Sequence, residues 1–505
     1  MKQVALTVVT AKGFDPGKGD FMRFVFLLKP RSCFLFVLTV LLFSNLPEPG
    51  LVQAADAVDI GSRRELFADD VLIEKLTGSA RQVIQQPEPK EMVLVTGKPW
   101  EGNVSAYFTF LQDGDEFRAY YRGAHYDTVK KVMTHREVTC VATSRDGIHW
   151  KKPELDIYDF AGSRKNNIVW DGIGTHCFVP FIDRNPAARK SERYKAISRG
   201  RFVTGQFVTP ARQKGVTGLY TFSSPDGLHW KRTSEGPVIT RGAFDSQNLA
   251  FWDANRKKYV CYSRLFIDGV RSIQFCESSD FVNWTDPVKL AYVASPNEHL
   301  YTNAIMPYFR NPSYYIGFPT RYMPANSRVE PLFMSSRDGT TFQRWPEAII
   351  PESAPKDRAG NRSNYAANGL LSLPGDPTQM SIYGTEAYYE GSDSRVRRFV
   401  YRVDGFVSIQ ADKQGGVLET RPLTFSGKQL ELNCVTRDGG SIVVTLQDGQ
   451  GHPIKGFSSN SIRGDYVNHV VRWKSGSDVG SLSGKVVKLR FQLKNADLYS
   501  IRFTP

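Results

Sequence analysis

Cysteine is scarce, with six in 505 residues. Cys33 lies in an N-terminal apolar run. The others, Cys140, Cys177, Cys261, Cys276 and Cys434, are odd in number and without paired spacing, which excludes a disulfide framework. Cys261 and Cys276 are placed to face each other across neighbouring strands, and buried free thiols are expected for all five. No Cys/His spacing suits zinc, and neither a metal nor a cofactor is expected. A Gly-x-Ser-x-Gly elbow, a Walker loop, a His-Glu-x-x-His pair and a dinucleotide fingerprint are all missing, which removes the reaction classes those motifs carry. Past residue 55 no apolar stretch is long enough to span a bilayer. The basic residues form only short runs (Lys130-Lys131, Arg397-Arg398) and no nucleic-acid stripe.

The N-terminus does carry a signal. Lys29 and Arg31 precede the run from Cys33 to Phe43, and small residues follow at Ala54-Ala55. A basic segment, a short apolar core and a small-residue exit describe a secretory signal over residues 1–55. Met22 makes a more typical start than Met1. A secreted or periplasmic mature chain is therefore expected, with no membrane contact after cleavage. The formal net charge is +14. Residues 1–55 contribute only a small part of it, so the mature chain stays basic and an acidic or sulfated polysaccharide partner fits.

Aromatics reach 12%, with 22 Tyr and 32 Phe, which favours strands. One pattern recurs four times: Ser144-Arg145-Asp146-Gly147-Ile148-His149-Trp150, Ser224 to Trp230, Ser278 to Trp284 without the glycine, and Ser336 to Phe342 with Phe for Trp. The aspartates are 80, 54 and 58 residues apart. Asp-Gly suits a tight turn between strands, and the aromatic at the end of each copy folds back as a core wedge. Asp146, Asp226, Asp280 and Asp338 are thus structural. Each copy follows a strand-like run with two more strands upstream. Four such units and a degenerate one near 364–403 make an all-β, five-bladed β-propeller over 56–403. Past Asp404-Gly405 the strands shorten and Asp-Gly turns separate them, which predicts a β-sandwich over 404–505.

A propeller with these Ser-x-Asp-Gly-x-x-Trp turns and a C-terminal sandwich resembles glycoside hydrolase family 32, and the propeller alone resembles family 43. The Ser-Arg-Asp-Gly turns, Tyr365-Ala366-Ala367-Asn368-Gly369 and the tail from Leu489 to Ser500 are also similar to exported proteins of planctomycete-type bacteria. The resemblance implies a glycosidase with a two-carboxylate mechanism. Its motifs are not intact. Where family 32 has an Asn-Asp-Pro-Asn-Gly nucleophile segment, this chain has Pro99-Trp100-Glu101-Gly102-Asn103. Gly242-Ala243-Phe244-Asp245-Ser246 stands in the place of Arg-Asp-Pro, and Cys276-Glu277 reverses Glu-Cys.

In a propeller the innermost strands line the axial channel, and the polar residues leading into them face the ligand. Glycoside cleavage needs two carboxyl groups about 5–10 Å apart. The catalytic candidates are Glu101, as nucleophile or base, Asp245, as base or orienting carboxylate, and Glu386, an acid inside an apolar strand. Asp171 is held in reserve. Asn103, Asp171, His176, Gln247, Asn248, Asn303, Arg321 and Asn368 are candidates for hydrogen bonds to sugar, and Trp100, Tyr107 and Tyr301 for stacking on it. The bland readings are turn caps, salt-bridge partners (Glu386 with Arg321 or Arg397) and structural hydrogen bonds. The alternative function is a non-catalytic glycan-binding propeller.

Overall fold

The computed structural model describes residues 57–505 apart from 204–205, 208–215, 294, 359–363 and 475, with side chains left out over 201–216. The signal segment expected over 1–55 lies outside the described residues.

Residues 88–403 form five antiparallel blades. Blade one runs from the inner strand Ala106–Asp113 through Glu116–Gly123 and Val138–Ser144 to Ile168–Trp170. Blade two is Val179–Ile182, Tyr194–Val203, Val216–Ser224 and Lys231–Arg232, and blade three is Leu249–Asp253, Lys258–Ile267, Val270–Ser278 and Val288–Lys289. Blade four is Met306–Tyr308, Asn311–Gly317, Met334–Ser336 and Thr341–Arg344. In blade five, Gln379–Glu386 and Arg395–Arg402 pair with Glu88–Val95 from the start of the ring. The inner edge of that blade is residues 366–371, bridged to Gly384 and Ser381. The last blade therefore borrows its outer strand from the first residues of the propeller. Its inner edge meets blade one directly, where Phe110 N–H donates to the Asn368 carbonyl at 2.7 Å.

The repeated turns hold the blades together. In the first, Ser144 Oγ accepts from Gly147 N–H at 2.9 Å, and Asp146 Oδ1 accepts from Ile148 and His149 N–H at 2.9 and 2.8 Å. The glycine carbonyl is clasped by a tyrosine of the preceding blade. Tyr383 donates to Gly147 at 2.8 Å, Tyr120 to Gly227 at 3.0 Å and Tyr262 to Gly339 at 2.8 Å. Gly147 takes φ +72°, and a Cβ there would meet the Leu373 side chain at 2.4 Å, so the left-handed turn and the close approach both require glycine. In the third turn Phe281 takes φ +68° in the glycine's place, and among the described residues no tyrosine clasps it.

The C-terminal strands enclose a single apolar core that includes Leu430, Val444, Leu489, Phe491, Ile501 and Phe503. Against the expected limits of 56–403 for the propeller, residues 58–84 belong with this β-domain. Val58–Gly61, Arg64–Leu66, Ile73–Gly78 and Arg81–Ile84 pair with Leu423–Phe425, Val487–Thr504, Gly416–Thr420 and Val407–Ala411. The sequence reading missed this because strands of one sheet need not be adjacent in the chain. Asp404 joins the two parts. Wholly buried, it accepts from Tyr308 Oη at 2.5 Å and Ser500 Oγ at 2.6 Å, pairs with Arg310 at 2.7 Å and faces buried Arg64 at 3.7 Å. Cys261 and Cys276 stand directly opposite each other on paired strands, buried and free.

Candidate functional site

One end of the channel, the mouth, is built from the segments that lead into the inner strands and from the turns joining second to third strands. Just beneath it, Gln247 Nε2 reaches from blade three to the Phe108 carbonyl at 2.8 Å and Thr109 Oγ1 at 3.1 Å in blade one. Gln247 is buried, so it floors the mouth rather than facing a ligand.

His176 is the centre of the mouth. Gly172 and Gly174, at φ +143° and +98°, turn the chain into a single 3-10 turn, Thr175–Cys177, that carries it. A Cβ on Gly174 would lie 2.6 Å from the Phe222 ring, so packing fixes the turn and hence the imidazole. His176 Nδ1 is 3.0 Å from Glu137 Oε1 and Nε2 is 2.9 Å from Asp245 Oδ1. A ring bracketed by two carboxylates donates to both when it is protonated. Burial opposes the charge, but Glu137 and the Asp245 hydrogen bond outweigh it and raise the His176 pKa well above its usual value. Glu137, although burial pushes the other way, is held down to about 2 by His176 and Arg122. Asp245 is likewise desolvated, yet His176 and Arg199 hold its carboxyl well below the usual range. The trio therefore consists of two carboxylates and an imidazolium. Asp245 is its open member, with half of its side chain exposed against 12% for Glu137.

Three arginines surround the trio from equivalent places in three consecutive blades. The serine of each repeated turn pairs across the sheet with Phe117, Tyr194 or Tyr259, and an arginine stands five residues beyond each partner: Arg122, Arg199 and Arg264. Arg122 lies 3.6 Å from Glu137, Arg199 lies 3.3 Å from Asp245, and Arg264 acts on Asp245 through its charge. Tyrosines complete the wall. Tyr107 sits 5.7 Å from His176, ring to ring, beneath the Arg122 guanidinium at 5.0 Å. Tyr301, Tyr365, Tyr388 and Tyr389 continue edge to face at 4.7 to 5.8 Å. Tyr107 and Tyr389 take φ +57° and +65°, a conformation costly for bulky residues and concentrated at functional sites. Burial raises the Tyr107 phenol pKa well above its usual value, so it keeps its proton.

Of the sequence candidates, the structure brings together His176 and Asp245, with Tyr107 and Tyr301 beside them. Glu101 is buried, 2.5 Å from both Lys152 Nζ and Tyr121 Oη. Glu386 is fully buried and paired with Arg397 at 2.5 Å. A carboxylate closed off behind an ion pair does not meet a sugar. Asp171 is bound to Arg136 at 2.8 Å, and Arg321 to Glu298 and Glu330 at 3.0 and 2.7 Å. Asn103 clips the backbone at Tyr126 and Gly391, Asn248 binds the Phe244 and Ser246 carbonyls, and Asn303 spans Gln247 and Tyr262. Asn368 lies toward the opposite end of the channel, among residues of all five inner strands. Trp100 donates to Asn167 and packs on Phe160. Glu137 and the arginines were missed. The signal that could have found the arginines is their fixed offset from the repeated turns.

No protein-family model and no curated protein sequence matches the chain. Several solved structures are similar to it. A glycoside hydrolase aligns at 12% identity over 62% of this chain and 92% of its own, with a TM-score of 0.44. The Bombyx mori GH32 beta-fructofuranosidase aligns at 11% identity over 85% of this chain and 96% of its own, with a TM-score of 0.40. The beta-1,2-mannobiose phosphorylase from Listeria innocua aligns at 11% identity over 68% and 96%, with a TM-score of 0.40.

Proposed function

We propose that the chain is an exported glycan-active enzyme that cleaves a glycosidic bond at the propeller mouth, with Asp245 as its reactive carboxylate. One observation carries this reading. Asp245 is ionised, half-exposed and fixed from two sides, by His176 at 2.9 Å and Arg199 at 3.3 Å, in a pocket walled with tyrosine. A carboxylate so held answers positive charge building on an anomeric carbon, by attack or by activating water. The electrostatics are set before the sugar arrives. Glu137 and His176 act behind it as positioning residues. The Tyr107 phenol, kept protonated beside the cluster, is placed to hydrogen-bond the leaving oxygen. The tyrosine faces suit sugar rings, and the N-terminal basic and apolar segments support export.

A second reading, a non-catalytic glycan-binding propeller, is favoured by a different observation: neither mouth carboxyl, Glu137 or Asp245, is held protonated as a general acid. The deciding experiment screens the mature chain on a panel of neutral, uronic and sulfated glycans beside Asp245→Asn and Tyr107→Phe. Product from the parent chain that falls at least 100-fold in Asp245→Asn, with binding retained, establishes the enzyme. Binding without turnover in every case leaves the binding module.

A further inference from the structure

Arg264 and Arg271 differ from the other mouth arginines in what they face. Arg264 stands three residues before the end of the second strand of blade three and Arg271 is the second residue of the third, either side of the turn at Asp268-Gly269. Both guanidinium carbons lie over the Tyr301 ring, at 5.0 and 5.4 Å, and over Phe266, at 5.4 and 5.3 Å. Arg271 also lies 4.5 Å above Tyr322. Phe266 is the cross-strand partner of Arg271 and is 47% exposed at the rim.

Among the described residues no carboxylate makes an ion pair with either of them, and Asp245 meets Arg264 only at longer range, through its charge. Arg122 and Arg199 reach Glu137 and Asp245, but among the described residues Arg264 and Arg271 form no ion pair. Arg264, buried, donates its Nε to the Ala243 carbonyl at 2.8 Å. Arg271 Nη1 has only the ring of His299 at 3.2 Å, and its Nε is buried with no hydrogen-bond partner. Burial and the Arg271 charge lower the His299 pKa, so that imidazole stays neutral, and neither of its forms supplies a negative charge. The internal residues left undescribed, 204–205, 208–215, 294, 359–363 and 475, include no Asp or Glu, so none of them supplies the missing anion. Two guanidinium groups sharing two aromatic rings without an acid repel each other, and an unmet buried donor is costly. An oxyanion between them relieves both, through the forked charge-assisted bonds guanidinium groups form with carboxylate or sulfate.

We infer that Arg264, Arg271, Phe266 and Tyr301 form a subsite for an oxyanion on a sugar ring, a uronate carboxylate or a sulfate ester, so that the glycan handled at the mouth is anionic. The inference rests on the glycan reading above and assigns its substrate class. The aromatic faces take the ring and the guanidinium pair takes the charge.

The test measures binding rather than turnover, using Asp245→Asn as the host. Digalacturonate, a 6-sulfated galactobiose, neutral galactobiose and free sulfate ion are titrated by calorimetry in 50 mM salt. The expected result is that one of the two charged disaccharides binds at least tenfold more tightly than galactobiose. Which one it is separates uronate from sulfate. Arg271→Gln should bring that ratio close to one without weakening galactobiose, and Arg271→Lys should restore part of it. Circular dichroism melts identify any variant that fails to fold, and Phe266→Ala then reports on the same subsite from the surface. Equal binding of charged and neutral sugars overturns the subsite while the glycan reading stands. Sulfate ion bound through Arg271, with no sugar bound, upholds the anion site and overturns the glycan reading. No binding of any probe overturns both.

Discussion

Gln247 and Phe108 stand on the third and first blades, which are not neighbours in the ring, yet the Gln247 amide crosses the axis to donate to the Phe108 carbonyl at 2.8 Å. With a second bond to Thr109 Oγ1 at 3.1 Å, it ties blade three to blade one beneath His176 and Asp245. Gln247→Ala removes it and leaves a buried carbonyl without that donor. The expected cost is about 1–3 kcal/mol, read as a lowered urea midpoint with an unchanged slope. A midpoint equal to the parent's would show that the tie contributes nothing.

Removing each candidate carboxylate should separate structure from chemistry. Glu101→Gln and Glu386→Gln strand the half-buried partners Lys152 and Arg397. Each should lose on the order of 3 kcal/mol of stability, with turnover per folded molecule within twofold of the parent. Asp245→Asn should instead lose turnover in the folded molecule, with a smaller cost in stability from its weakened ties to His176 and Arg199. Chemical denaturation paired with initial rates checks all three. A catalytic Glu101 or Glu386 would appear as lost rate in a fully folded variant.

The mouth trio makes stability depend on pH in two directions. Glu137, depressed to about 2, stabilises the fold fully above the usual 4.5, and that contribution is lost as pH falls toward 2. His176 is raised above 6.5. Its contribution is complete below that value and is lost as pH climbs through the folded pKa. The cluster therefore supports the fold most strongly between about pH 5 and 6.5. Denaturation midpoints measured across pH should show both limbs. His176→Gln should flatten the alkaline limb, and Glu137→Gln should flatten both.

Asp404→Ala should be the most damaging single change named here. It leaves Arg64 buried with one anion fewer, and it releases Tyr308, Arg310 and Ser500 at the join between propeller and β-domain. A loss of about 3–5 kcal/mol is expected, checked by calorimetric melting. A single transition at the parent's temperature would contradict it.

Local chemistry made the propeller legible. The Asp-Gly turns and their trailing aromatics are written within seven residues, so blades could be counted from the chain alone. The site was written in cross-strand register instead. Arg122, Arg199 and Arg264 become equivalent only when their strands are paired with the turn serines. Glu101 looked like a free acid because its partner Lys152 is 51 residues away, whereas Glu386 takes Arg397, one of the two partners the sequence offered for it, and only the fold decides between them. His176 and Asp245 could be found because each sits just ahead of an inner strand, which is a local property.

The pairing of residues 58–84 with the far end of the chain also governs how the molecule can be made and cut. Arg64 donates to Ser500 across 436 residues, and Glu88–Val95 waits for Arg395–Arg402 before the ring is sealed. Neither part can finish while the chain is still emerging, and the strands before residue 96 stay unpaired until the last ones arrive. Contacts of such long sequence separation fold slowly. A fragment starting at residue 404 would lack four strands of its own sheet, so the two parts divide in space but not by a single cut in the gene.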